Sequence, residues 1–341
     1  MSEAPSMQPF TPELRKDIIT REWVIISRGR GRRPTDLAVG VPEGAPTTET
    51  CPFCPGNEGA SETLLTLPDG PTGWKVRVVR NKFPALIWKA EVTRKESGIY
   101  DSVSGNGSHE VVIESPDHNL DIWQMSQGQV EAVLDAYRQR FIILEQDPLV
   151  RYVLIFRNHG LGAGTSLAHP HSQIIATPVV PHYIEAEVDG IKRYWEYIER
   201  CPFCAIITQE LATEERLISQ NEGYVAVTAF AGRFPYESWI IPRRHQPHFR
   251  DTTDAERASL AAILRDTLGR IAGALNFPSY NYALHTGPAG AGVDSTFHWH
   301  LEIFPRVTTP GGFELGSDLY INTTTPEDAA RALRESSIPA G

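Results

Sequence analysis

Two histidines flank a proline, and a glutamine stands two residues after the second, in His169-Pro170-His171-Ser172-Gln173. This motif closes a glycine-rich run, Asn158-His-Gly-Leu-Gly-Ala-Gly-Thr-Ser-Leu-Ala168. Backbone amides in such a run can cradle phosphate, because glycine reaches positive φ and allows close approach. An imidazole at the rim of a phosphate cradle is a candidate nucleophile toward phosphorus, being neutral and nucleophilic near pH 7.

A second chemistry is written in the cysteines. All four lie in two copies of one tetrapeptide, Cys51-Pro-Phe-Cys54 and Cys201-Pro-Phe-Cys204. A cysteine pair plus two distant histidines is a tetrahedral zinc set, and a closed set of that kind is structural. The expected ligands are Cys51, Cys54, His118 and His169 in the first half, and Cys201, Cys204, His245 and His298 in the second, so two zinc ions per chain. His248 rivals His245, and His109 is a weaker rival to His118.

The elements that position these residues also repeat. Cys54 to Phe83 spans 29 positions and Cys204 to Phe234 spans 30; His118 to His169 spans 51 and His245 to His298 spans 53. Each copy then carries a helical pattern. Val130, Val133, Leu134, Tyr137, Phe141 and Leu144 set one helix over 126–146. Leu260, Ile263, Leu264, Leu268, Ile271 and Leu275 set the other over 254–275. A strand follows each, at 151–156 and 281–285, then a glycine-rich turn and a His-x-His. The pattern predicts an α+β chain built from a duplicated unit, each copy an antiparallel sheet packed with one long helix. The halves are expected at 1–182 and 183–341, joined by a helix at 183–200. Residues 23–27 and 75–79 read as added strands of the first half. A short C-terminal helix over 327–335 is opened by Thr325-Pro326.

The chain has 341 residues and a net charge of −10. That balance argues against nucleic acid and anionic membranes as partners, so an anionic substrate needs a local basic site. There is no membrane-length apolar run and no secretory-type N-terminal pattern, which makes a cytoplasmic location the expectation.

The CxxC, the Ser115-Pro-Asp-His118, the Phe156-x-Asn158 before the glycine-rich run, the His-Pro-His-x-Gln and the duplication together resemble the galactose-1-phosphate uridylyltransferase family of the histidine-triad superfamily. The resemblance runs from about Leu14 to Leu333. It implies a duplicated histidine-triad-like fold with two antiparallel sheets. It also implies that His171 is the nucleophile on the α-phosphorus of a nucleotide sugar, giving a nucleotidyl-histidine that a sugar 1-phosphate or phosphate discharges. Gln173 would hydrogen-bond a phosphate oxygen. By the same resemblance Arg30 and Arg33 contact phosphate, Asn81 and Phe83 the nucleoside, Asn158, Gly164, Thr165 and Ser166 the phosphate, and Glu314 and Asn322 the sugar. Members are often homodimers. UDP-glucose:galactose 1-phosphate uridylyltransferase is the first expectation. An ADP-glucose or nucleotide phosphorylase is the alternative, and a non-catalytic zinc and nucleotide-binding protein the third.

Three departures bear on substrate and on the second half. The chain has Ser166-Leu167-Ala168 where the family has Ser-Asn-Pro. Threonines stand at 308 and 309 near the place of a lysine that binds hexose phosphate. The second His-x-His, His298-Trp-His300, is followed by Glu302 at the place of Gln173, which argues against a second catalytic centre. The duplicated cysteine set looks more like the branch that includes plant ADP-glucose phosphorylase.

Overall fold

The computed structural model describes residues 11–28, 48–71, 73–88, 92–290, 292 and 296–339. In chain order the elements are β1 (Glu13–Lys16), β2 (Trp23–Ile26), β3 (Thr63–Asp69), β4 (Gly73–Arg80), β5 (Arg94–Ser97), β6 (Tyr100–Val103), β7 (Ser108–Ile113), α1 (Gln127–Glu145), β8 (Tyr152–His159), β9 (His171–Thr177), α2 (His182–Ile198), α3 (Pro202–Thr213), β10 (Leu217–Gln220), β11 (Tyr224–Thr228), β12 (Ser238–Pro242), α4 (Asp254–Leu275), β13 (Tyr280–His285), β14 (His300–Pro305), α5 (Gly312–Ser317), β15 (Tyr320–Asn322) and α6 (Pro326–Glu335).

Each repeat supplies five strands, and the two five-stranded antiparallel sheets join edge to edge. The result is one ten-stranded sheet in the order β10-β11-β12-β14-β13-β8-β9-β7-β4-β3. The join is the antiparallel pair β8–β13, with Asn281 opposite Asn158 and Ala283 opposite Phe156. Burying both edges there removes two rows of unpaired backbone groups.

The long helices α1 and α4 lie on one face of the sheet and touch each other. Ser126 caps α1 by accepting from the Gln129 N–H, and Thr253 with Glu256 forms a capping box on α4. The apolar stripe read from the sequence is buried in both helices: Val130, Leu134, Tyr137 and Phe141 in α1, and Leu260, Leu264 and Leu268 in α4. With Val112, Ile155, Ile240 and Leu301 from the sheet they form the main core.

The opposite face carries two smaller clusters. Cys51, Phe53, Val79, Val111 and Ile113 cover the first half. Ile191, Cys201, Phe203, Val225 and Ile241 cover the second. The two cysteine tetrapeptides fold differently for a local reason. Pro55-Gly56 follows the first, Gly56 takes φ +94°, and the segment stays a loop. Helix formers follow the second, so Cys201 becomes an N-cap with Pro202 at the first helical position of α3.

One strand assignment is corrected. Residues 23–26 do not add to the first half's sheet. They pair antiparallel with β1 and parallel with β15 in a separate three-stranded sheet, tying the N-terminal region to residues 320–322. The other segment, 75–79, lies within β4, an integral strand between β3 and β7. Among the described residues no helix is long and apolar enough to cross a membrane.

Candidate active site

His171 opens β9, and Gln173 follows on the same face because side chains alternate along a strand. Ser172 points the other way and accepts from the Tyr137 hydroxyl at 2.7 Å, inside the main core. His169, just before the strand, shares the side of His171, and both rings lie against Phe53, with centroids at 5.9 and 5.4 Å.

The tautomer of His171 follows from its partner. Its Nδ1 is 2.8 Å from the carbonyl oxygen of His169. A carbonyl only accepts, so Nδ1 carries the proton and Nε2 keeps a lone pair. Burial pushes the pKa of His171 down, which favours that neutral form. The residue is only 8% exposed, so its ring is poorly hydrated.

Asn158 sits across from this end of β9, since Arg157 pairs with Ser172. The chain then turns through Gly160 (φ +78°) and Gly164 (φ +82°), conformations that suit glycine. Thr165 Oγ1 donates to the Leu167 carbonyl at 3.0 Å, closing the loop that carries Ser166. Asn81 Oδ1 accepts from the Phe83 N–H at 2.9 Å, and the Phe83 side chain stands free, 82% exposed.

The residues of each expected Cys2His2 set come together. Cys51, Cys54, His118 and His169 bring one ligand atom each within 4.8 Å of one another, and so do Cys201, Cys204, His245 and His298. A tetrahedral zinc with Zn–S about 2.3 Å and Zn–N about 2.05 Å spaces its ligand atoms about 3.3–3.8 Å apart. Cys54 Sγ to His118 Nδ1 is 3.2 Å, Cys51 Sγ to His169 Nδ1 3.7 Å, and the two Nδ1 atoms are 3.3 Å apart. In the second set both Cys204 Sγ–imidazole distances and the Cys201–His298 distance are 3.6 Å. The inner histidines are oriented from behind. His169 Nε2 donates to the Ser115 carbonyl at 2.8 Å and His298 Nε2 to that of Pro242 at 2.9 Å. This leaves Nδ1 as the metal-facing atom in each case. His245 and His118 are the members; their rivals His248 and His109 are not in either set.

The second His-x-His has the same backbone arrangement and opposite chemistry. His300 Nδ1 meets the His298 carbonyl at 3.2 Å, but its Nε2 faces Glu187 Oε1 at 3.5 Å and Glu302 Oε1 at 3.6 Å, fully buried. Burial opposes its charge, yet the two carboxylates outweigh that and raise His300 to about 10. An imidazolium has no lone pair to attack with. His285 Nδ1 completes the group at 2.9 Å from Glu187. Sequence reasoning missed Glu187 and His285. Glu187 comes from the connecting helix α2, and no spacing rule links it to β13 or β14.

The remaining expected contacts divide. Arg30 and Arg33 lie outside the described residues. Glu314 caps the first turn of α5, accepting from the Gly311 N–H at 2.9 Å. Asn322, expected near the sugar, is held by the protein's own backbone. It is 2% exposed, its amide donates to the carbonyls of Gly232 and Phe234, and its oxygen accepts from the Thr324 N–H.

With this geometry in view, the family model for galactose-1-phosphate uridyl transferase, N-terminal domain, matches residues 4–181, which include the first metal set and the His-Pro-His-Ser-Gln. The chain belongs to this family. Membership makes it a nucleotidyltransferase with a duplicated histidine-triad-like fold. A domain of unknown function (DUF4921) matches residues 106–336. An ADP-glucose phosphorylase of Arabidopsis thaliana is 38% identical over 98% of this chain and 96% of its own. A galactose-1-phosphate uridylyltransferase of Thermotoga maritima is 31% identical over 96% of this chain and 99% of its own. Among solved structures, that of an Arabidopsis thaliana ADP-glucose phosphorylase with bound ADP-glucose has a TM-score of 0.83 at 35% identity, covering 97% of this chain and 100% of that one. A uridylyltransferase structure gives 0.74 at 31% identity, covering 95% and 97%.

Proposed function

We propose that the chain is a nucleotide-sugar phosphorylase of the ADP-glucose type, working through a nucleotidyl-histidine at His171. The observation that carries the nucleotidyl step is the His171 Nδ1–H donated to the His169 carbonyl, which leaves Nε2 as an unprotonated nucleophile. Nε2 attacks the α-phosphorus, the bond from that phosphorus to the bridging oxygen breaks, and glucose 1-phosphate leaves as an anion. An oxygen of inorganic phosphate then attacks the same phosphorus, the P–N bond breaks, and ADP forms. Because the leaving group departs as an anion, no acid is needed beside it. The neutral amide of Gln173 suits that step, whereas an imidazolium would suit protonation.

The choice of acceptor rests on two supports. The Arabidopsis phosphorylase is the more similar of the relatives described, by identity and by TM-score. The threonines at 308 and 309 offer no charge to a hexose phosphate. UDP-glucose:galactose 1-phosphate uridylyltransferase is the second reading, favoured by the family model itself. Two zinc ions per chain belong to the proposal, held by the two Cys2His2 sets and serving to fix the loop and strand ends. Homodimerisation also belongs to it and is checked by sedimentation.

The test is intact mass after mixing the protein with ADP-glucose or UDP-glucose without acceptor. An AMP adduct discharged by phosphate is expected, and His171→Gly should form none. A UMP adduct discharged by galactose 1-phosphate moves the chain to the second reading. No adduct with either refutes both and leaves a binding role. Metal analysis should return two zinc ions per chain.

A further inference from the structure

Two amides flank the nucleophile, Gln173 on β9 and Asn158 on β8. A phosphate oxygen only accepts hydrogen bonds, so each amide helps only if its NH2 end faces the phosphorus and its oxygen faces away. A free amide can rotate and offer either end. In this fold neither is free.

His109, on β7, holds the first. Its Nδ1 accepts from the backbone N–H of Ala85 at 3.1 Å. A backbone N–H can only donate, so Nδ1 is bare and the proton of the neutral ring is on Nε2. That Nε2 is 2.7 Å from Gln173 Oε1 and donates to it. The oxygen of Gln173 is thereby committed and its NH2 turned away from the imidazole. Asn81 Nδ2 lies 3.1 Å from the same Nε2. With the ring proton given to Gln173 this is a contact, and the amide hydrogens of Asn81 stay available to a ligand.

Asn281, on β13 of the other repeat, holds the second. Its Nδ2 donates to the carbonyl of Ala163 at 2.9 Å. A carbonyl can only accept, which fixes which end of Asn281 points that way. The same Nδ2 donates to Asn158 Oδ1 at 2.8 Å. Again the oxygen of the site amide is committed and its NH2 left over. Two backbone groups of fixed polarity, the Ala85 N–H and the Ala163 carbonyl, thus set the orientation of both amides through one intermediary each.

We propose that His109 and Asn281 are positioning residues that lock Gln173 and Asn158 with their amide hydrogens toward the α-phosphate. This rests on the nucleotidyl-transfer reading above and adds to it how neutral side chains are preset to receive a developing negative charge. An unlocked amide spends part of its time offering its oxygen to the phosphate, which repels instead of stabilising. Preset donors avoid that loss without adding a cation.

The experiment uses four single variants of the full chain, His109→Phe, Asn281→Ala, Gln173→Leu and Asn158→Ala, and the doubles His109→Phe/Gln173→Leu and Asn281→Ala/Asn158→Ala. The rate of adduct formation in a single turnover is followed by rapid quench and intact mass. Losing one hydrogen bond to a charged group corresponds to about a 10–100-fold slowing, expected for each positioning variant. In each double, the positioning substitution should slow the step no further. Equal slowing with and without the partner amide, or none at all, overturns the proposal.

A parallel titration calorimetry series compares each nucleotide with its nucleoside, AMP with adenosine and UMP with uridine. The positioning variants should weaken the nucleotide about tenfold and leave the nucleoside unchanged. Loss of both equally, or of neither, again overturns the proposal. If the unsubstituted protein forms no adduct but this nucleotide-selective loss appears, the transfer reading fails and the positioning stands.

Discussion

Arg157 is the residue whose loss should be felt most, and the reason lies behind His171. Its side chain is 1% exposed, and its Nε meets Glu114 at 2.9 and 3.1 Å. Its Nη1 meets Asp121 at 2.9 Å and the Tyr280 hydroxyl at 2.6 Å. Arg157→Met keeps most of the volume and removes the charge. Two buried carboxylates then lose their cation, and breaking a buried pair from one side costs about 3–5 kcal/mol. The cost should depend on pH. Burial already raises Glu114 despite Arg157, and for Asp121 burial is outweighed by Arg157 with help from His159. Without the guanidinium Glu114 rises further and Asp121 rises above its unfolded value. The folded state then holds more protons, so the variant loses stability as pH rises through the unfolded carboxylate range of about 4 toward the raised folded values. Urea unfolding in zinc-replete buffer should show the larger deficit at about pH 7.5 and a smaller one at about pH 5. Arg157→Met/Glu114→Leu should recover part of it. A deficit under about 1 kcal/mol near pH 7.5, or one independent of pH, would refute the reasoning.

Three further outcomes follow from the same structure. A Cβ on Gly190 of α2 would lie 1.7 Å from the Ile19 carbonyl, so Gly190→Ala should lose about 3 kcal/mol by urea unfolding, and a neutral result would mean the N-terminal segment does not pack there. Burial, only partly opposed by Asp121, lowers His159 to about 4. The neutral ring therefore stabilises fully above the unfolded value of about 6.5, and this is lost as pH falls from there toward 4; His159→Phe should show a smaller drop in melting temperature over that window. Cys204→Ser should reduce bound zinc from two to one per chain while adduct formation persists, since His171 neighbours His169 of the other set; loss of both metals would contradict independent sites.

The sequence made the two Cys2His2 clusters legible because few residue types suit zinc and the whole set occurs twice. The helices were legible because burial on one side enforces a 3.6-residue period, as Val130, Leu134, Tyr137 and Phe141 show. The small sheet of residues 13–16, 23–26 and 320–322 was not, because its pairing spans almost the full chain and no local pattern encodes a distant edge. The same holds for the buried groups that orient the site. His109 read as a spare metal ligand, and its role appears only when Ala85 and Gln173 are brought to its two nitrogens. Asn281 is one polar residue in a strand until β13 is laid against β8.

That edge pairing has a further meaning. β8 and β13 are the same element of the two repeats, and they pair with each other antiparallel, as do identical subunits about a twofold axis. In a true homodimer every substitution is made twice, so neither site can lose its glutamine alone. A tether frees the chain from that constraint and holds the two edges at high effective concentration however far the sequences diverge. One repeat can keep Gln173 beside its histidine while the other takes Glu302. The second repeat still contributes to the first, sending Tyr280, Asn281 and Tyr282 across the seam. Separating the repeats would therefore leave Asn158 and Arg157 of the first without their partners from the second.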